Sequence, residues 1–167
     1  MIYSLLNKID AISPFTKVSA HCDIPCKIYD PSGAQLAVLT MIRMVDLIEE
    51  LAVKESLTVN DQAQLARLVA QKEEHGFIVK KEIQVIWGDY MKAPQFERFP
   101  QLHELSHNIM LAASKAKQHI DKQAALDLLA KVNEFAAIFW HSKGVATFTA
   151  TCPYPPAQPV VYPDLKE

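Results

Sequence analysis

Two cysteines four residues apart, with a histidine directly before the first, are the residues of this chain best equipped for chemistry. They lie in His21-Cys22-Asp23-Ile24-Pro25-Cys26-Lys27-Ile28-Tyr29-Asp30-Pro31. If the peptide bond before His21 is cut, a new α-amine, the Cys22 backbone nitrogen and the Cys22 thiolate succeed one another along a short piece of chain. Each adjacent pair closes a small chelate ring, so the three fill three corners of a square around one metal ion. Cys26 returns through a turn to supply the fourth corner, and the His21 imidazole stays near the axial direction. Square-planar nitrogen and sulfur ligation suits nickel or copper better than zinc or magnesium. Pro25 fixes φ inside the turn and removes a backbone donor, which narrows the loop's unfolded ensemble. The plainer uses of the same residues are a Cys22–Cys26 disulfide loop or a zinc-binding turn.

The donor set also bears on reactivity. Two thiolates and an anionic amide push electron density onto nickel and bring a Ni(III)/Ni(II) cycle within reach. An axial imidazole stabilises the oxidised state further. A metal alternating by one electron can oxidise one superoxide to dioxygen and reduce the next to peroxide. A nickel- or copper-binding metallochaperone would use the same ligands without redox cycling, and turnover of superoxide separates the two.

The elements that must carry this segment are helical. The chain has 167 residues, half of them hydrophobic, enough for one packed core without disulfides. A formal net charge of −2 gives no nucleic-acid footprint and no polybasic membrane patch. Three cysteines are sparse for a secreted disulfide scaffold, and reduced thiols are the expectation, in a soluble cytoplasmic protein. Residues 1–20 place Ile2, Leu5, Leu6, Ile9 and Ile12 at helical spacing before Pro14. Lys8 and Asp10 interrupt the apolar run that a secretory signal needs, although Val18-Ser19-Ala20 has the small-residue character of a cleavage site.

Four long helical patterns come after the cysteine segment. Leu36, Leu39, Ile42 or Arg43, Leu47 and Leu51 run down the first, and Val38, Met41 and Met44 make it apolar nearly all round, as a homo-oligomer would require. Thr58 with Asp61 offers a capping box for the second, which carries Leu65, Leu68, Val69, Val79, Ile83, Ile86 and Trp87. Gly76 inside it should cost about 1 kcal/mol relative to alanine. The stretch Gly88 to Pro94 breaks the pattern. Pro100 is expected to start the third helix, striped by Leu102, Leu105, Ile109, Ala112, Ala116 and Ile120. Asp121 caps the fourth, faced by Ala125, Leu128, Leu129, Val132, Phe135, Ala136 and Phe139. Short joins between long helices predict an all-α, up-down antiparallel four-helix bundle over residues 32–143. Five prolines in the last fifteen residues make residues 144–167 a proline-rich C-terminal extension of extended conformation.

The segment His21-Cys22-Asp23-Ile24-Pro25-Cys26-Lys27-Ile28-Tyr29-Asp30-Pro31 resembles the N-terminal hook of the nickel superoxide dismutase family, whose pattern is His-Cys-x-x-Pro-Cys-x-x-Tyr-Asp-Pro. The likeness continues in Trp87-Gly88-Asp89-Tyr90-Met91-Lys92-Ala93-Pro94, similar to that family's Trp-x-Asp-Tyr-Phe-Lys-Pro-Pro. It also takes in Phe96-Glu97, Pro100, Leu102-His103 and Phe139-Trp140. The resemblance implies that residues 1–20 are a propeptide removed by a maturation peptidase and that residues 21–31 are the hook. It implies one nickel per subunit, held by His21, Cys22 and Cys26, in a homohexamer acting on superoxide. It further implies that Asp23 steadies the hook, that Tyr29 and Tyr90 crowd the open axial face, and that Lys92 helps attract the anion. Two departures stand out. The family's glutamate and arginine that hold the hook histidine are matched, without gaps, by Ala37 and His75, which alters the surroundings of the axial ligand. The proline-rich extension has no counterpart role.

A rival signal is His103-Glu104-Leu105-Ser106-His107, which spells the H-E-x-x-H of zinc metalloproteases, with Glu134 as a possible third ligand. A small helical bundle lacks the sheet and cleft that such enzymes use, so a solvated helix face is the expectation there. Trp87 is expected in the core, and Cys152 as a free thiol beside prolines.

Overall fold

The computed structural model describes residues 27–165. Its long helices are α1 (Ser32–Ala52), α2 (Val59–Val85), α4 (Leu102–Gln118) and α5 (Lys122–Ser142), with a short α3 (Ala93–Arg98) between the second and third. α2 begins where the sequence places a cap. The Thr58 hydroxyl accepts from the Asp61 N–H at 3.2 Å and the Asp61 carboxylate accepts from the Thr58 N–H at 2.9 Å. That closes the reciprocal capping box and satisfies donors that helix geometry alone leaves open. Asp121 caps α5 in the same way, its carboxylate accepting from the Ala124 N–H at 3.0 Å.

The long helices pack as a ring. α1 lies against α2 and α5, and α4 lies against the same two. Between them sit Val38, Met41, Ile42, Val79, Ile83, Leu102, Ile109, Leu128, Val132, Phe135 and Phe139, all buried. Each such side chain is worth about 1.5–3 kcal/mol relative to exposure. A smaller cluster, Ile48, Leu51 and Leu68, closes the far end of the α1–α2 pair. The stripe expected on α1 is rotated in part. Leu39, Ile42 and Leu51 are buried, but Leu36 is 50% exposed and Val38, Met41, Val45 and Ile48 do the core packing.

Two features set the spacing of α2 and α4. A Cβ on Gly76 would come within 3.1 Å of the Lys117 side chain, so the glycine that weakens α2 locally is what lets α4 approach. One turn away, Lys72 is 1% exposed and sends its ammonium to the carbonyls of Ala116 (3.0 Å), Lys117 and His119 (3.0 Å). Those are carbonyls at and just past the end of α4 that have no partner further along the helix. Burial pushes the Lys72 pKa down, while three carbonyl acceptors favour its charged form.

Several boundaries differ from expectation. α4 starts at Leu102, after Pro100 and an N-capping Gln101, and ends at Gln118, which leaves Ile120 outside it and 46% exposed. The helix does not break at Gly88 but passes into a π-helical turn over Ile86–Tyr90. α3 lies where the sequence pattern gives only a break; it has a proline in its first turn, and the Lys92 N–H donates to the Gln95 side chain at 3.0 Å. α5 ends in a Schellman motif. The Gly144 N–H donates to the His141 carbonyl and the Val145 N–H to the Trp140 carbonyl, with Gly144 at φ 75.

The proline-rich segment is extended, as expected, and goes further than that. It forms an antiparallel hairpin of β1 (Thr147–Thr151) and β2 (Pro159–Pro163), registered Thr147 opposite Pro163 and Thr151 opposite Pro159. It lies on the chain's own helices. Val160 and Cys152 enter the main core. Gln35 of α1, itself buried, donates to the Val161 carbonyl at 2.9 Å and to Asn133 of α5 at 3.0 Å. Asn133 in turn donates to the Pro159 carbonyl and accepts from the Val161 N–H. These bonds satisfy the inner edge of β2, which would otherwise be costly to bury.

The Asp61 cap makes acid stability testable. Hydrogen bonds from Lys54, then from the Thr58 hydroxyl and N–H, hold its carboxyl at about 2 against an ordinary 3.8. A depressed folded value means that this stabilisation is complete above about pH 4 and fades as pH falls through about 2. Urea midpoints of wild type and Asp61→Asn should therefore diverge above pH 4 and converge near pH 2. Parallel curves would show that the cap is not titrating.

Candidate metal-proximal site

A backbone irregularity builds this site. The Met91 N–H donates to the Ile86 carbonyl at 3.1 Å, a bond spanning five residues where an α-helix spans four. One extra residue in the turn rotates the chain beyond it relative to α2. Tyr90 is thereby set against Phe139 of α5, ring centroids 5.0 Å apart at 55°, and against Tyr29, 5.7 Å at 48°. Offset, tilted rings of this kind attract beyond the area they bury. Tyr29 and Tyr90, which the family resemblance placed together, meet as one aromatic pair at one end of the bundle.

The last turn of α5 completes the cluster. The Tyr90 hydroxyl lies 2.8 Å from the Ser142 hydroxyl. The Lys143 ammonium sits over the Tyr90 ring at 4.7 Å and over the Phe139 ring at 5.0 Å. A cation on an aromatic face is held by the ring quadrupole. Lys92 is exposed and folds back to donate to the Gly88 carbonyl at 3.1 Å, which ties it to the π turn. Lys143 thus covers Tyr90, while Lys92 is tied to the π turn that also carries Asp89. Sequence reasoning named Lys92 but missed Ser142 and Lys143. The usable signal was positional: a basic residue directly before the helix-ending Gly144 belongs at a helix C-terminus.

His21, Cys22, Asp23 and Cys26 lie outside the described residues, as do residues 1–20. The described chain begins at Lys27, in the left-handed region at φ 60, directly after Cys26. Two residues later Tyr29 joins the aromatic pair with Tyr90. Among the described residues no group of three or more His, Cys, Asp or Glu side chains comes together to hold a metal.

The other candidates sort by geometry. His103 is stacked on Phe96 (3.9 Å, 10°) and accepts from the Trp87 indole N–H at 3.2 Å. That packing occupies the first residue of the H-E-x-x-H sequence, and no metal-holding cluster forms around it among the described residues. Trp87, expected in the core, is 37% exposed because the π turn swings it onto His103 at the surface. Ala37 is buried in the core and has no polar group to offer. His75 donates Nδ1–H to the Gln71 carbonyl at 2.8 Å and stands eleven residues before Ile86, about 16 Å along the helix axis. Cys152 is a free, buried thiol, its Sγ 3.3 Å from the Tyr154 carbonyl.

Comparison with known proteins points the same way. The family model described as nickel-containing superoxide dismutase matches residues 16–143. The nickel superoxide dismutases of Streptomyces seoulensis and of Streptomyces coelicolor are each 36% identical over 135 residues, 78% of this chain and 94% of theirs. A native nickel superoxide dismutase structure superposes with a TM-score of 0.63 at 31% identity, covering 74% of this chain and 99% of that one. The hairpin falls after the residues that the family model matches.

The stacked His103 yields a check on the zinc alternative. His103→Ala should cost about 1 kcal/mol in urea unfolding through the lost ring contacts and leave bound zinc unchanged at background. Loss of stoichiometric zinc would reinstate the metalloprotease reading.

Proposed function

The chain belongs to the nickel-containing superoxide dismutase family, and from that membership we propose how its own residues serve the reaction. It is an oxidoreductase that converts two superoxide anions to dioxygen and hydrogen peroxide, with nickel as its cofactor, one per subunit. His21, Cys22 and Cys26 would hold the nickel, which when bound would supply the one-electron couple that dismutation needs.

The protein's part is to make the donors, place them and control approach. Cleavage before His21 by a maturation peptidase frees the α-amine, and His21, Cys22 and Cys26 hold the metal. Asp23 steadies the hook. Tyr29 and Tyr90 crowd the approach, which admits small anions and orders water. Lys92 and Lys143 add positive charge at the same end, which raises the local concentration of an anionic substrate. The observation that carries this assignment is the contact of Tyr29, three residues after Cys26 in sequence, with Tyr90.

The working form is a homo-oligomer, a hexamer by resemblance, in the cytoplasm. Its support in the chain is apolar surface in want of cover, with Ile28 77% and Leu36 50% exposed near the start of α1. Metallochaperone and protease readings have no comparable support.

Protein beginning at His21 should bind about one nickel per chain and remove superoxide rapidly, and the uncut chain should do neither well. Equal activity in both forms, measured by pulse radiolysis with metal analysis, would refute the role given to the cut. Cys22→Ser and Cys26→Ser should each abolish activity and leave the helical circular dichroism intact. Loss of fold in either variant would point instead to a structural disulfide or zinc.

A further inference from the structure

The end of α5 determines which way the Tyr90 proton points. The Lys143 N–H, which a continuing helix would give to the Phe139 carbonyl, goes to the Trp140 carbonyl instead at 3.0 Å. The Phe139 carbonyl is satisfied by the Ser142 hydroxyl at 2.6 Å. A carbonyl only accepts, so Ser142 must donate in that bond. A serine hydroxyl has a single proton. In its 2.8 Å contact with Tyr90 it has only a lone pair left to offer, and the phenol must be the donor.

We infer that Ser142 is a positioning residue that commits the Tyr90 hydroxyl proton to the end of α5, so that Tyr90 meets water or substrate only as a hydrogen-bond acceptor. This rests on the superoxide dismutase reading and deepens it. Making peroxide consumes one electron and two protons per superoxide. With its proton held by Ser142, Tyr90 is not the source of either. A phenol oxygen that only accepts can hold water or hydrogen peroxide, both of which donate, and it repels a bare anion. Tyr90 thus orders water and loosens the hold on anions, while Lys143 over its ring keeps the region positive. The geometry is local to the π turn and the last turn of α5, and needs nothing from the hook.

The test uses nickel-loaded protein carrying ring-labelled tyrosine, with the Tyr90 band identified by its loss in Tyr90→Phe. The C–O stretch of a donating phenol lies above that of an accepting one, because drawing off the proton strengthens the C–O bond. Isotope-edited infrared spectra should place the wild-type and Ser142→Thr bands at the donor position. In Ser142→Ala the freed hydroxyl can donate, and inhibition of superoxide removal by azide should tighten about tenfold or more, the weight of one hydrogen bond to a charged acceptor. Ser142→Thr should match wild type. A wild-type band at the acceptor position, or azide inhibition unchanged in Ser142→Ala, would overturn the inference. If Ser142→Ala does not fold, the wild-type band position decides alone. Wild-type protein with the donor band but no superoxide turnover would sink the enzyme reading and leave the proton assignment standing.

Discussion

The Tyr29–Tyr90 end of this molecule depends on one contact, that of the Ile86–Tyr90 π turn with the last turn of α5. A helix register shift of one residue moves Tyr90 from the outer run of α2 onto Phe139, beside Tyr29. Were α2 to continue as an α-helix, the same tyrosine would be rotated away by roughly a quarter turn or more. A π turn gives up good hydrogen-bond geometry, and here that loss is offset by packing of Tyr90 against the core. The irregularity and the site are therefore one feature.

The same logic recurs at the other helix ends. An α-helix leaves its last carbonyls without partners, and this chain uses side chains to satisfy them. Lys72 does so for α4 and Ser142 for α5. In the first case the result is a fixed distance between α2 and α4. In the second it fixes the orientation of a hydroxyl at the site. Polar satisfaction in a small bundle thus has consequences beyond stability, because each donor used at a helix end is one withheld from elsewhere.

The C-terminal hairpin comes after the residues that match the family, yet it is joined to the bundle by the same means. Gln35 and Asn133 feed the inner edge of β2, and Val160 and Cys152 fill space over α1 and α5. β1 starts at Thr147, shortly after Lys143, by way of Gly144, whose left-handed backbone turns the chain off the helix axis. Its attachment therefore bears on the very helix end that holds Ser142 and Lys143.

Much of this was legible in the residues alone, and the division has a physical basis. Helix existence, the Thr58 and Asp121 caps and the buried face of α5 depend on periodicity and on contacts within a few residues, which a linear pattern encodes directly. Trp87 at the surface, the late start of α4, the unburied Leu36 and the hairpin's seat were not legible, because each depends on where another element happens to lie. Sequence by itself determined which segments are helical and where their caps fall, since both follow from short-range chemistry. Only the tertiary structure decided that Ser142 and Lys143 join the Tyr29–Tyr90 pair, because a π turn's extra residue and a helix end's spare carbonyl act through space.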